Sequence, residues 1–265
     1  MTFKELSKGQ INLIKALINQ KNYRKRKGLF IIEGLRATQE AINSDYAVEF
    51  VVLSDDFVKR YGEKFHGFRD VKVYEVPQKL FRTLSDTKTP QGIMAVVRMK
   101  KFEIANLCEG NFLVVALDGI KDPGNMGTII RTADAAGATG ILAGKGCVDL
   151  YNPKVIRSTM GSIFHLPVME EIDLRWALKE LSKKGAKIII TSLDAKKSYL
   201  DTDYKIPVVI VFGSEAEGVS KEILDMPSEQ VKIPIPGRAE SLNVAVACGI
   251  LLYEAARQRR TLFPL

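Results

Sequence analysis

The stretch Asp118-Gly-Ile-Lys-Asp-Pro-Gly-Asn-Met-Gly-Thr-Ile-Ile-Arg131-Thr-Ala-Asp-Ala-Ala-Gly137 decides how this chain is read. It follows Phe112-Leu-Val-Val-Ala-Leu117, an apolar run of strand length, and leads into Thr128 to Ala136, where a helix is expected. Strand, glycine-bearing loop and helix in that order suit a nucleotide-type site. Two such sites are excluded residue by residue. Gly119 and Gly124 have the spacing of a P-loop, but Asn125-Met126 stands where the phosphate-binding Lys-[Ser/Thr] belongs. A dinucleotide fingerprint needs G-x-G-x-x-G, and the loop has only Gly124 and Gly127. The polar groups that remain are Asn125 and, further along the helix, Arg131.

Each has an ordinary structural explanation. Arg131 can pair with Asp134 at i, i+3 on a helix surface, and Asn125 can cap the helix. Two later segments answer the loop. In Val208-Val-Ile-Val-Phe-Gly-Ser-Glu-Ala-Glu-Gly218 a buried strand runs into a turn whose glycines permit close backbone approach, and Ser214 and Glu217 have capping-box spacing. In Lys232-Ile-Pro-Ile-Pro-Gly-Arg-Ala-Glu-Ser-Leu-Asn-Val-Ala-Val-Ala-Cys-Gly249 the prolines forbid a central strand and impose a rigid loop. Ser241 reads as the N-cap of a last helix, Leu242 to Arg257; Asn243 has no such structural need. From Leu242 to Leu252 that helix is apolar nearly all round, with small Ala245, Ala247 and Gly249, so it is expected to be covered on several sides, one of them by a second subunit.

Outward from these segments the chain alternates strands and helices, the pattern of an α/β protein. The N-terminal half is expected to hold a helix from Phe3 to Leu17, strands at Leu29–Ile32, Val48–Leu53, Val71–Val76 and Gly92–Val97, and helices at Leu35–Ile42, Asp55–Arg60 and Pro77–Leu84. Arg98 to Asn111 changes character and reads as a linker, which divides the chain into domains 1–105 and 106–265. The second half adds strands at Gly140–Ala143, Lys187–Thr191 and Val231–Pro234. It also adds a helix from Leu174 to Ser182 with Trp176 on its packed face.

With 265 residues, 46% of them hydrophobic, the chain can bury a core without staples. Cys108, Cys147 and Cys248 are far apart with no C-x-x-C pair, and His66 and His165 are too few for a histidine cluster, so neither a disulfide framework nor a metal site is expected. No signal peptide or membrane-length apolar run is visible, which points to a reduced, cytoplasmic protein without a membrane partner. The net charge of +8 suits a polyanionic partner. Lys21-Asn-Tyr-Arg-Lys-Arg-Lys27 puts five cations around one tyrosine, either a solvated face or a phosphate-contacting patch with a ring for stacking.

The three segments, in this order, resemble the three motifs of the SpoU (TrmH-like) family of RNA ribose 2′-O-methyltransferases, in the SPOUT superfamily. The first family motif reads Asn-x-Gly-x-x-x-Arg-x-Ala, and Asn125, Gly127, Arg131 and Ala133 match it position by position. Arg24-Lys-Arg-Lys-Gly-Leu-Phe-Ile-Ile-Glu-Gly-Leu-Arg36 and Thr89-Pro-Gln-Gly-Ile93 are similar to the substrate-binding domain of many such proteins, which folds like ribosomal protein L30e. The resemblance implies an L30e-like N-terminal domain and a C-terminal SPOUT domain with a deep trefoil knot formed by motifs two and three. It implies S-adenosylmethionine as cofactor, RNA as substrate (ribosomal favoured over transfer RNA), and a homodimer in which the arginine reaches the partner's pocket. It assigns catalytic roles to Asn125, Arg131, Glu215, Ser241 and Asn243. The cofactor falls to Thr191, Ser192, Leu193, Phe212, Gly213, Glu215, Gly218, Ile233, Pro234, Ile235, Gly237, Ser241 and Leu242. RNA falls to Arg24, Lys25, Arg26, Lys27 and Arg36.

No histidine or cysteine lies in the motifs to act as a base. The resemblance implies that Arg131 assists deprotonation of the 2′-hydroxyl; because an arginine is almost always protonated, it is expected to act as an electrostatic clamp on the developing alkoxide and a neighbouring phosphate, with direct proton abstraction as the alternative. The alternatives are a tRNA ribose methyltransferase, an RNA-binding assembly factor with a retired catalytic domain, and a base methyltransferase of the same superfamily, which the first motif disfavours. The matching Asn125, Arg131, Glu215, Ser241 and Asn243 speak against the second.

Overall fold

The computed structural model describes residues 5–62 and 71–259; Phe3, His66 and Arg260 lie outside them. The chain forms two compact units, Met1–Lys100 with Tyr151–Phe164, and Lys101–Leu150 with His165–Leu265. The division therefore falls a few residues before the expected 105/106 boundary, and one segment from the second half of the sequence folds with the first unit.

In the first unit, α1 (Lys8–Asn19) starts at Ser7, whose hydroxyl accepts from the Gln10 amide while Gln10 reaches back to the Ser7 amide. The cationic stretch is itself a helix, α2 (Lys21–Lys27), stopped by Gly28 at φ 62°. Then come β1 (Leu29–Glu33), α3 (Leu35–Asn43), β2 (Val48–Ser54), α4 (Asp55–Tyr61), β3 (Val73–Val76), α5 (Gln78–Leu84) and β4 (Ile93–Arg98). The sheet order is β1-β4-β2-β3; β4 runs antiparallel to β1 and β2, and β3 runs parallel to β2. Ile14 and Leu17 of α1 pack with Ile31, Phe50, Val52, Phe81, Leu84 and Met94 in its core. Tyr151–Phe164 joins this unit through aromatic packing. The Phe30 ring lies 4.7 Å from Tyr151 and 6.3 Å from Phe164, and the Tyr46 hydroxyl donates to the Ile163 carbonyl.

The second unit holds β5 (Leu113–Asp118), α6 (Pro123–Ala135) and β6 (Gly140–Gly144). The helix α7 (Pro153–Thr159) that follows belongs to the first unit. The second unit then continues with β7 (Val168–Ile172), α8 (Leu174–Lys183), β8 (Lys187–Thr191), β9 (Lys197–Ser198), β10 (Val208–Gly213), α9 (Lys221–Leu224), β11 (Glu229–Lys232) and α10 (Val244–Arg259). Its sheet is parallel throughout, in the order β7-β6-β5-β10-β8-β11-β9. The central strands are buried on both faces, which is why β5 and β10 read as continuous apolar runs.

Four expectations change. The stretch read as a linker contributes Ile104 and Leu107 to the second core. Trp176 is 52% exposed, because α8 turns Leu174, Ala177, Leu178 and Leu181 inward instead. α6 begins at Pro123, five residues before the expected start, because Asp122 caps it through the Asn125 amide. The last helix begins at Val244, and its cap is Asn243, not Ser241. Asn243 Oδ1 accepts from the Ala245 and Val246 amides at 3.0 and 3.3 Å. Among the described residues no helix is long and apolar enough to cross a membrane.

Candidate active site

β5, β10, β8 and β11 are neighbours in one parallel sheet, so their carboxyl ends share one edge. Open α/β sheets bind ligands outside that edge. The segments leaving it are the three quoted ones together with Ser192–Ala195. After β10 the chain makes a tight turn, with Ser214 and Gly218 exchanging both backbone hydrogen bonds at 3.1 and 2.9 Å. The Ser214 hydroxyl accepts from the Glu217 amide inside this turn, so the pair is not a helix-entry box. A Cβ at Gly213 would lie 2.0 Å from the Gly218 carbonyl carbon, and Gly218 has φ 68°, so both glycines are required by the backbone. The Ser220 amide donates to Asp118 Oδ2 at 2.8 Å, which ties the turn to β5.

Between these segments lies a cavity of about 400 Å³. Of the residues expected to hold a cofactor, Thr191, Ser192, Leu193, Phe212, Gly213, Glu215, Gly218, Ile233, Ile235, Ser241 and Leu242 line it. Pro234 and Gly237 do not: Ile233 and Ile235 take the inward positions, and Pro234, Pro236 and Gly237 are exposed. Sequence reading missed Asp194, Glu217 and Lys232, which also line the cavity and flank expected residues. The lining carries three carboxylates, Asp194, Glu215 and Glu217, against one lysine, Lys232, and this balance favours a cationic group inside.

At the rim one residue from each motif meets. Asn125 Nδ2 donates to Glu215 Oε1 at 3.1 Å, and Asn243 Nδ2 donates to the same oxygen at 2.6 Å and to Asn125 Oδ1 at 3.0 Å. The Val244 amide is a third donor to Glu215 Oε1, at 3.3 Å, so the carboxylate sits at the N-terminus of α10. Asn125 is thus a partner of Glu215, while the helix-capping job goes to Asp122.

Arg131 is exposed on α6 and does not line the cavity. Six residues beyond Asn125, it lies about 9 Å further along the helix and on another flank. Its expected partner Asp134 is engaged elsewhere, by His165 Nδ1 at 2.8 Å, and among the described residues Arg131 shows no hydrogen bond or ion pair. Of the residues assigned to RNA, Arg24 is a correction. It is 3% exposed, and its guanidinium donates to the Leu17 and Ile18 carbonyls at 2.7 and 3.1 Å, closing the end of α1. Arg26 and Lys27 are exposed, with their charges 5.1 and 5.9 Å from the Tyr23 ring centroid; Lys25 is half-buried and Arg36 is exposed on α3.

Residues 112–253 match the SpoU rRNA Methylase family, and residues 8–95 match the MRM3-like substrate binding domain. The chain belongs to the SpoU rRNA methylase family. It is 34% identical over 236 residues to the 23S rRNA (guanosine(2553)-2'-O)-methyltransferase RlmP of Bacillus subtilis (strain 168), which covers 89% of this chain and 92% of that one. It is 31% identical over 258 residues to the 23S rRNA (uridine(2479)-2'-O)-methyltransferase of Streptomyces viridochromogenes, covering 92% of this chain and 88% of that one. An AdoMet-bound rRNA methyltransferase from Sinorhizobium meliloti matches with a TM-score of 0.85 at 32% identity over 99% of both chains. The SpoU methyltransferase AviRb from Streptomyces viridochromogenes, in complex with AdoMet, matches with a TM-score of 0.86 at 27% identity over 95% of this chain and 99% of that one. The α/β fold expected from the alternation of strands and helices is that of these solved SpoU structures, and the two family matches fall one on each half of the chain.

Proposed function

We propose that this SpoU family member transfers a methyl group from S-adenosylmethionine to a ribose 2′-oxygen of ribosomal RNA, as a cytoplasmic homodimer. The observation that carries the reading is the meeting of Asn125, Glu215 and Asn243 at the rim of the 400 Å³ cavity. The relatives named above are ribosomal RNA methyltransferases, which favours ribosomal over transfer RNA. Residues 8–95 would hold the RNA and residues 112–253 would carry the chemistry. The trefoil knot enters this proposal through family membership.

The cavity fits the cofactor on three counts. Its volume is in the range of small-molecule sites. Leu193, Phe212, Ile233, Ile235 and Leu242 offer apolar walls to a flat base, and the carboxylates suit a positive sulfur. When bound, the cofactor supplies a methyl group on a sulfonium. The Asn125–Glu215–Asn243 cluster would then hold α6, the Gly213–Gly218 turn and the start of α10 in one arrangement. Ser241 lines the cavity beside it. Positioning of this kind accounts for much of a methyl transfer's rate. Arg131 would stabilise charge on the 2′-oxygen and hold the adjoining phosphate.

Arg131 lies off its own cavity, and this supports the dimer. α10 leaves Val246 and Tyr253 52% and 53% exposed, with Gly249 and Ile250 between them, an apolar stripe at i, i+3, i+4, i+7 spacing. A twofold contact along that stripe would cover it and let each Arg131 serve the partner's cavity. The test is ribose-methylation mapping of total RNA with and without the gene, together with methyl transfer by the purified protein. Loss of one ribosomal 2′-O-methyl mark supports the reading; an unchanged map with no transfer in vitro overturns it.

A further inference from the structure

Resting on the reading of Arg131 as the residue that stabilises the reacting oxygen, we infer that His165 is a positioning residue that keeps Asp134 away from Arg131. Asp134 lies three residues beyond Arg131 on α6, close enough for a helix-face ion pair. It also sits in the last turn, where the partial negative charge of the helix end opposes a carboxylate, so it needs a donor. Two groups compete for that role, the Arg131 guanidinium and the His165 ring. In the structure His165 holds it: Nδ1 lies 2.8 Å from Asp134 Oδ2. A carboxylate has no proton to give, so Nδ1–H is the donor.

The backbone fixes His165 in that place. Its neighbours Phe164 and Leu166 are both buried, at 8% and 5% exposure, which turns the side chain between them outward. Two residues on, the Ile141 amide donates to the Pro167 carbonyl at 2.9 Å, anchoring the segment to β6. His165 is therefore delivered by the sheet-anchored turn before β7 to a helix that ends thirty residues earlier in the chain. The consequence is chemical. Arg131 stays available for a polyanion, and the carboxylate nearest to it along the helix is engaged by a hydrogen-bond donor as RNA phosphate approaches.

A purely mechanical staple between α6 and the segment before β7 would use the same hydrogen bond, so the test must separate the two roles. Methyl-transfer kinetics, cofactor affinity and melting are measured for His165→Ala, Asp134→Asn, the double variant and His165→Asn. Shielding predicts that H165A slows turnover roughly fivefold, the scale of one charge interaction at a protein surface, with cofactor affinity unchanged. D134N alone should turn over like wild type, and the double variant should return to the wild-type rate because no carboxylate remains to capture Arg131. H165N, whose amide can donate to Asp134, should stay near wild type and guards against a folding defect in H165A. Wild-type turnover by H165A, or a double variant as slow as H165A, overturns the inference. Arg131→Ala is run alongside. If it turns over normally, the reading of Arg131 fails and this inference with it; if it is inactive while H165A is not slowed, this inference alone falls.

Discussion

Asn243 Nδ2 donates to Glu215 Oε1 at 2.6 Å while Asn243 Oδ1 accepts from the first amides of α10. One amide side chain therefore starts the last helix and ties it to the turn after β10. The two jobs use opposite ends of the same group. A residue with two acceptors and no donor, such as aspartate, could do only the first.

That asymmetry is testable. Asn243→Asp keeps a good cap acceptor, so stability should stay within about 1 kcal/mol of wild type. It removes the donor and sets a second carboxylate against Glu215, so cofactor affinity and turnover should both fall at least tenfold, by roughly the 1.4 kcal/mol of one such interaction. Asn243→Ala should lose both functions and about 1 kcal/mol of stability. Calorimetric titration with S-adenosylmethionine beside a melting curve reads both. An N243D protein that binds and turns over normally would reduce the contact to a capping detail.

A second prediction concerns Glu229, the first residue of β11. It accepts from the Thr202 hydroxyl at 2.5 Å and lies 2.9 Å from Lys197 Nζ and 3.1 Å from Lys187 Nζ. Burial pushes its pKa up, but these donors outweigh burial and hold it below the ordinary 4.5. A depressed carboxylate stabilises the fold above its unfolded pKa and loses that contribution as pH falls through the folded one. Glu229→Gln should cost roughly 1.5–3 kcal/mol at neutral pH, and the gap from wild type should close below about pH 4.5. Urea unfolding at pH 7, 5, 4 and 3 measures it; a gap that stays constant would show that the carboxylate's charge is not what matters.

Most of the fold was legible because its strands are buried and apolar. The expected Lys187–Thr191 coincides with β8, and the expected Phe112–Leu117 lies within one residue of β5 at each end. What escaped has physical reasons. Asp122-Pro123 and Asn152-Pro153 are both cap-and-proline helix starts, a signal that apolar periodicity does not carry, and glycines beside the first mask it further. β7 escaped because Val168-Met-Glu-Glu-Ile172 is an edge strand whose two adjacent acids break the apolar run. The motif residues could be found one by one, but not their partners. Spacing suggested Arg131 with Asp134, whereas a histidine thirty-one residues later takes Asp134. Arg24 looked like any other cation in its run, since charge patterning does not say which arginine points inward.

The basic helix can now be divided. Arg26 and Lys27 are exposed, and two phosphate contacts on single-stranded RNA would contribute about 1.4 to the log–log salt slope of binding. Replacing both with glutamine should flatten the slope by that amount and leave cofactor affinity unchanged. Arg24→Ala should do the reverse, keeping the slope and costing roughly 1.5–3 kcal/mol of stability as the end of α1 loses its donor. RNA binding at four salt concentrations gives the slopes. Parallel lines for wild type and the double variant would move RNA recognition to another surface.

The last prediction tests whether each cavity depends on a partner's arginine. Arg131→Ala should abolish methyl transfer while leaving cofactor binding intact, because Arg131 does not line its own cavity. Leu193→Glu should block the cavity with little effect on folding, since Leu193 is 61% exposed at its mouth. Each protein alone is then inactive for a different reason. If the arginine acts across a twofold interface, a mixed dimer has one intact site, built from the cavity of the R131A chain and the arginine of the L193E chain. Random exchange makes half of the dimers mixed, so activity should return to about a quarter of wild type. Adding a charge to the interface stripe, as in Val246→Glu, should yield monomers and abolish the recovery. If the arginine acted within its own chain, mixing would restore nothing at any ratio, and the stripe on α10 would need another explanation.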